Sequence, residues 1–173
     1  VPLDGNPLTN LQELRDVLYT FKRNRTIGYV DNGDKPATWP LTYVDNALGC
    51  PIHGIATVLD SGASTVDFLV VSTYSGVFLF NGKYSVPELS WKINDLWKSQ
   101  DRNEFRKIQM VVDATRQELL MVIPDRRLLV GNYANGMSAK NIRWTPERFE
   151  FLVSSVAIVN IDDVIIGSES IVL

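Results

Sequence analysis

The chain has 173 residues, of which 45% are hydrophobic, 21% charged and 10% aromatic, an ordinary globular composition with enough apolar matter for one sizeable core. Seventeen Lys and Arg stand against twenty Asp and Glu, a net charge of -3, so no basic excess exists to neutralise a run of phosphates. One cysteine excludes an internal disulfide, and no apolar run approaches the roughly 18 residues of a membrane-spanning helix.

Residues 8–14 alternate polar and apolar, and Thr9 or Asn10 with Glu13 predicts a short capped helical turn. Residues 17–21 and 26–30 are β-rich runs around the polar turn Lys22-Arg23-Asn24-Arg25, a hairpin signal. Asp31 to Pro36 is a loop of turn formers, and residues 38–44 read as an edge or irregular strand because Pro40 cannot donate to a ladder. Residues 54–59 predict a strand next to a second hairpin, 67–72 with 77–80. Residues 91–97 predict the only clear helix, with Ile93, Leu96 and Trp97 on one face and Ser90 as N-cap. A third hairpin spans 108–113 and 118–123, and Pro124 to Arg127 turns into a strand at 128–133. The β pattern continues through 142–145 and 149–159, and a fourth hairpin is predicted to begin at Val164.

The hairpins recur. Outgoing strands near residues 17, 68, 108 and 163 give steps of 51, 40 and 55. Asp67, Val70, Val71, Ser75 and Val77 match Asp162, Ile165, Ile166, Ser170 and Val172 at a constant offset of 95. A repeat of 40 to 50 residues with about four short strands is the spacing of propeller blades. The expected fold class is therefore all-β with one short helix, antiparallel hairpin repeats forming an incomplete β-propeller. Residues 1–173 are read as a single repeat-built domain of three to four blades. A β-sandwich with unequal strands is the alternative. The apolar ending at Leu173 reads as a piece of a longer polypeptide, the alternative being a short strand docked into a sheet. The N-terminal Val1-Pro2-Leu3-Asp4 has no secretory-signal pattern.

Several short motifs, in order, resemble the β-propeller-like tail (nozzle or hub) structural proteins of tailed bacteriophages. They are Leu18-Tyr19-Thr20-Phe21-Lys22, Gly49-Cys50-Pro51, Gly76-Val77-Phe78-Leu79-Phe80-Asn81-Gly82, and Leu89-Ser90-Trp91-Lys92-Ile93. Asp113 with Pro124 and the pair Trp144-Thr145 follow. The order holds from about residue 11 to 145, and the fit ends where residues 149–173 only begin the next repeat. The resemblance implies a virion component made in the bacterial host cytoplasm, no enzymatic activity and no cofactor. It implies partners among copies of the chain itself and other tail proteins, with genome DNA as a non-specific contact in a lumen; no membrane partner is expected, because no apolar run is long enough to span one.

The chemistry-bearing residues have weak patterns. Cys50 and His53 supply two metal ligands where zinc needs three or four, so no metal site is expected. As a nucleophile and base the same pair lacks an oxyanion element. Asp60, Asp67, Asp113 and Glu118 are the carboxylates available to a glycosidase. Asp31-Asn32-Gly33-Asp34 fails the EF-hand pattern because its twelfth position is Thr42. Lys22 to Arg25 and Arg126-Arg127 are basic turns able to face DNA or simply solvent. Trp39, Trp91, Trp97, Tyr133 and Trp144 are read as interface or blade-packing anchors, with sugar stacking as the alternative for a tryptophan. A glycan-binding or glycan-cleaving propeller used in host attachment is the alternative function, and a cellular scaffold propeller a third.

Overall fold

The computed structural model describes residues 7–50, 54–58, 68–82, 85–147, 149–160 and 163–168. Fourteen strands among them form three four-stranded antiparallel meanders and a two-stranded hairpin. The first sheet holds β1 (Leu8–Leu14), β2 (Val17–Lys22), β3 (Arg25–Val30) and β4 (Leu41–Asp45). The second holds β5 (Ile55–Val58), β6 (Phe68–Ser72), β7 (Val77–Phe80) and β8 (Ser85–Glu88). The third holds β9 (Gln109–Asp113), β10 (Glu118–Val122), β11 (Leu128–Asn132) and β12 (Arg143–Glu147). β13 (Val153–Asn160) pairs with β14 (Asp163–Ser168). The one helix, α1 (Asn94–Lys98), lies between the second and third sheets, flanked by 3-10 segments Leu89–Ile93 and Arg102–Lys107.

The sheets stack face to face, and β9, the first strand of the third sheet, touches both β5 and β13, the first strands of its neighbours. Successive meanders with adjacent inner strands are blades, and the fold is all-β with a single short helix, in the arrangement of an incomplete propeller.

Period-two alternation produces this stacking. On β6, Leu69 and Val71 pack toward the first sheet with Leu14, Tyr19, Phe21 and Phe80. Val70, between them, packs toward the third sheet with Leu119, Met121 and Ile123. On β10, Leu120 and Val122 point the other way, onto Val153 and Val156 of the fourth sheet. Each inner sheet thus buries both faces, which explains why β6 and β10 read as unbroken apolar runs. Each buried side chain of this size contributes about 1.5–3 kcal/mol relative to exposure.

Three sequence expectations are corrected. Residues 8–14 are a strand, because they pair along β2 with a register shift between Leu8 and Asn10, and Thr9 spends its hydroxyl on the carbonyls of Phe21 (2.9 Å) and Cys50 (2.6 Å). Ser90 is no N-cap. Its Oγ is buried, accepting from the Val77 N–H at 3.0 Å and donating to Glu88 at 2.8 Å, while Ile93 precedes α1. The strand at Asp163 does not open a fourth hairpin but closes one begun at Val153. The repeat is then more even than the hairpin steps suggest. The second strands of the four sheets start at Val17, Phe68, Glu118 and Asp163, spaced by 51, 50 and 45 residues. The offset of 95 aligns β6 with β14. Ile108 does not belong in that series, because it precedes a first strand.

Candidate functional site

Antiparallel connectivity divides the loops between two ends. The β2–β3, β6–β7 and β10–β11 turns and the connections between sheets gather at one end. The β1–β2, β3–β4 and β7–β8 connections lie at the other. Direct contacts confirm the grouping: Gly49, in the first inter-sheet connection, lies against the Arg23-Asn24 backbone, and Asp125 of the β10–β11 turn bonds Gln100 in the second.

The five aromatic anchors separate into three environments. Trp97 is 1% exposed, donates Nε1–H to the Thr73 carbonyl at 3.2 Å, and meets Phe105 edge to face at 5.4 Å. Tyr133 is buried in the same core, between the second and third sheets, and Trp144 packs against it while donating to the Leu89 carbonyl at 2.9 Å. Trp91 is 65% exposed and belongs to none of the cores. Trp39 is half-buried in the β3–β4 connection, donating to the Asp34 carbonyl at 3.0 Å. It borders a concavity of about 420 Å³ shared with Glu13, Asp16, Leu18 and Asp31.

The carboxylates read as catalytic candidates divide similarly. Asp60 and Asp67, like His53, lie outside the described residues. Asp113 and Glu118 are direct partners across the β9–β10 hairpin. Asp113 is 3% exposed and accepts the Arg116 N–H at 3.0 Å, with the Arg116 guanidinium 3.5 Å away, so its oxygens hold the turn. Asp31 accepts the Gly33 N–H and Asn32 the Asp34 N–H, so this loop's side chains stabilise its own backbone. Among the described residues no group of three or more His, Cys, Asp and Glu is arranged to hold a metal, and no helix is long and apolar enough to cross a membrane.

Cys50 is buried, and burial pushes its thiol up to about 12 despite hydrogen bonds with Ser72 and Gly54. A thiol held protonated is a poor nucleophile. In the first basic turn, Lys22 belongs to β2 and is 2% exposed, so only Arg23 and Asn24 form the turn. Arg25 donates to Asn46. In the other, Arg127 pairs with Asp125. Burial works against the Asp125 carboxylate, but hydrogen bonds from Arg127 and Gln100 outweigh it and hold its pKa below the usual value.

The feature the sequence reading did not isolate is the outer face of the first sheet. Strand register puts Leu8, Leu11, Leu18, Ile27, Tyr29, Leu41 and Val44 on the face turned away from the second sheet, where the central Thr20, Lys22 and Ile27 are buried and the edge strands are not. Leu8, Leu11, Leu41 and Val44 are 52%, 49%, 52% and 43% exposed. At the other end of the series, Ile165 of β14 is 55% exposed on the face opposite the packed Val164 and Ile166. The sequence signal was weak, because the leucines at 8, 11 and 14 recur every third residue and register puts Leu14 on the face opposite Leu11.

No model of a known protein family matches the chain, and no curated protein is significantly similar to it.

Proposed function

We propose that the chain is a structural component of a bacteriophage tail, a nozzle- or hub-type propeller module acting in virion assembly and genome delivery. The observation that supports the reading is the set of exposed apolar side chains on the outer sheets, Leu8, Leu11, Leu41 and Val44 on the first and Ile165 on β14. Wherever two blades meet inside the chain, such side chains are buried. Exposed apolar side chains gathered on the edge strands of a sheet mark an association surface. Its partners are copies of the chain and other tail proteins, because a blade face is complementary to another blade face. The order of short motifs from Leu18 to Thr145 supports the viral assignment. The role is non-catalytic: the Asp113 carboxylate serves the turn backbone, and Cys50 holds its proton. The test is to look for peptides of the chain in purified tailed-phage particles and to locate it there by electron microscopy. Symmetric copies in the tail are expected. A chain recovered only as a cellular monomer, absent from every particle, overturns the reading.

A second reading, glycan binding for host attachment, is favoured by the Trp39 concavity, where an aromatic ring stands beside Glu13, Asp16 and Asp31. Sugars stack on such rings and bond to such carboxylates. A glycan array probed with the chain and with Trp39→Ala tests it: signal abolished by the substitution supports this reading, and an array with no signal removes it.

A further inference from the structure

The loop end that carries the β2–β3 turn holds a second concavity, of about 260 Å³, where Arg23, Arg102 and Arg106 meet with Thr9, Tyr74 and Asn103. These residues come from three sheet connections far apart in sequence. Arg23 is in the β2–β3 turn and Tyr74 in the β6–β7 turn. Arg102, Asn103 and Arg106 are on the 3-10 segment between the second and third sheets.

The Arg23 guanidinium and the segment carrying the other two arginines are held in place. The guanidinium lies 5.0 Å from the centroid of the Tyr74 ring, a cation–π contact. The Tyr74 ring is also stacked on Phe105, with centroids 5.2 Å apart and planes 22° from parallel. Phe105 is 1% exposed and packs on Trp97. An exposed positive charge is thereby tied through a row of rings to the core. Arg102 and Arg106 are four residues apart on a segment fixed at its start by Asp101, which accepts the Asn103 N–H at 2.9 Å.

The charge of the site is uncompensated. Among the described residues lining it there are three arginines and no carboxylate, in a chain whose net charge is -3. The acidic residue of the same segment, Glu104, is paired with Lys107. Gathering three guanidiniums is electrostatically unfavourable, and an anion between them relieves the repulsion. Planar guanidinium forks match the oxygens of a phosphate. The volume suits a phosphate group rather than a coenzyme. Tyr74 is already engaged by Arg23 and Phe105, and three guanidiniums recognise charge rather than nucleotide identity.

We propose that Arg23, Arg102 and Arg106 form a binding site for a phosphate group, presented by the backbone of a nucleic-acid strand or by a free phosphate compound. The site does not depend on the assembly role, since a chain with no place in a virion can carry it.

The test uses the full chain with two probes: a fluorescent 20-nucleotide oligothymidylate by anisotropy, and pyrophosphate by calorimetry. Arg102→Ala/Arg106→Ala alters only exposed side chains and is expected to melt at the wild-type temperature. It is expected to weaken binding at least tenfold, and to reduce the slope of log affinity against log salt by about one for each phosphate that is no longer neutralised. Lys35→Ala/Lys140→Ala removes the same charge from exposed sites elsewhere and is expected to change affinity less than twofold. Tighter binding of the oligonucleotide supports the site with a strand as its ligand. Equal or tighter binding of pyrophosphate supports it with a free phosphate compound. Failure of the wild-type chain to bind either probe at low salt overturns the proposal, as does equal weakening by the two double variants.

Discussion

Tyr19 and Ile165 occupy the same place in the first and last sheets, yet Tyr19 is 3% exposed and Ile165 is 55% exposed. Both follow the start of a second strand by two residues, as do Val70 and Leu120 between them. Tyr19, Val70 and Leu120 each face a following sheet. Ile165 faces the position a further sheet would take. The faces are therefore equivalent, and only the presence of a neighbour distinguishes a core position from a surface one.

Ile165→Asp is accordingly expected to change the stability of the isolated chain by less than about 0.5 kcal/mol, as exposed substitutions do. Tyr19→Asp, which buries an unpaired carboxylate and removes the Tyr19 hydroxyl's bond to the Gly82 carbonyl, is expected to unfold it. Chemical denaturation of both variants measures the contrast. On the proposed role of the open faces, Ile165→Asp also abolishes self-association, seen as a loss of mass by light scattering.

Trp97→Ala is expected to cost about 3–5 kcal/mol, because it empties the junction of the second and third sheets and leaves the Thr73 carbonyl without its donor. Trp91→Ala, six residues earlier, should fall within about 0.5 kcal/mol of wild type. Equal shifts in denaturation midpoint for the two would contradict this packing.

Gly49 lies where a Cβ would come within 2.3 Å of the Asn24 backbone. Gly49→Ala must push the inter-sheet connection off the β2–β3 turn and should lower the melting temperature by several degrees. Gly33 has open space around it but a φ of +82°, so Gly33→Ala should cost only about 1 kcal/mol. A larger loss at Gly33 than at Gly49 would reverse the ranking that the backbone geometry predicts.

The buried Cys50 sets an alkaline limit. The unfolded thiol ionises near 9.0, whereas burial keeps the folded thiol protonated to about 12. Its contribution to stability is intact below pH 9 and is lost as pH rises toward 12, by up to about 1.4 kcal/mol per pH unit. Burial also raises the Tyr19 hydroxyl, partly countered by Arg15, and acts in the same direction. Denaturation of wild type and Cys50→Ala at pH 8 and pH 10.5 should show a smaller alkaline loss for the variant. Alkylation of Cys50 at pH 8 should require unfolding.

Local patterning alone located β2, β3, β6, β7, β9, β10 and β11, because apolar runs broken by turn formers are a strong signal for strands buried on two faces. It also supplied the all-β class and a repeat of blade length. It misjudged residues 8–14, where leucines recurring every third residue on a short edge segment fit one helical turn as well as a strand. It misphased the repeat, because a hairpin marks two consecutive strands without telling which pair of four they are.

The chain's own pattern thus determined which segments become strands, since alternation and turn chemistry are local properties. Tertiary structure decided which of those strands' faces are covered. It also decided that Trp97 and not Trp91 enters the core, and that Arg23 meets Arg102 and Arg106. Such outcomes depend on which sheets stack and on which loops share an end, and stacking joins residues separated by most of the chain, where no local rule reaches.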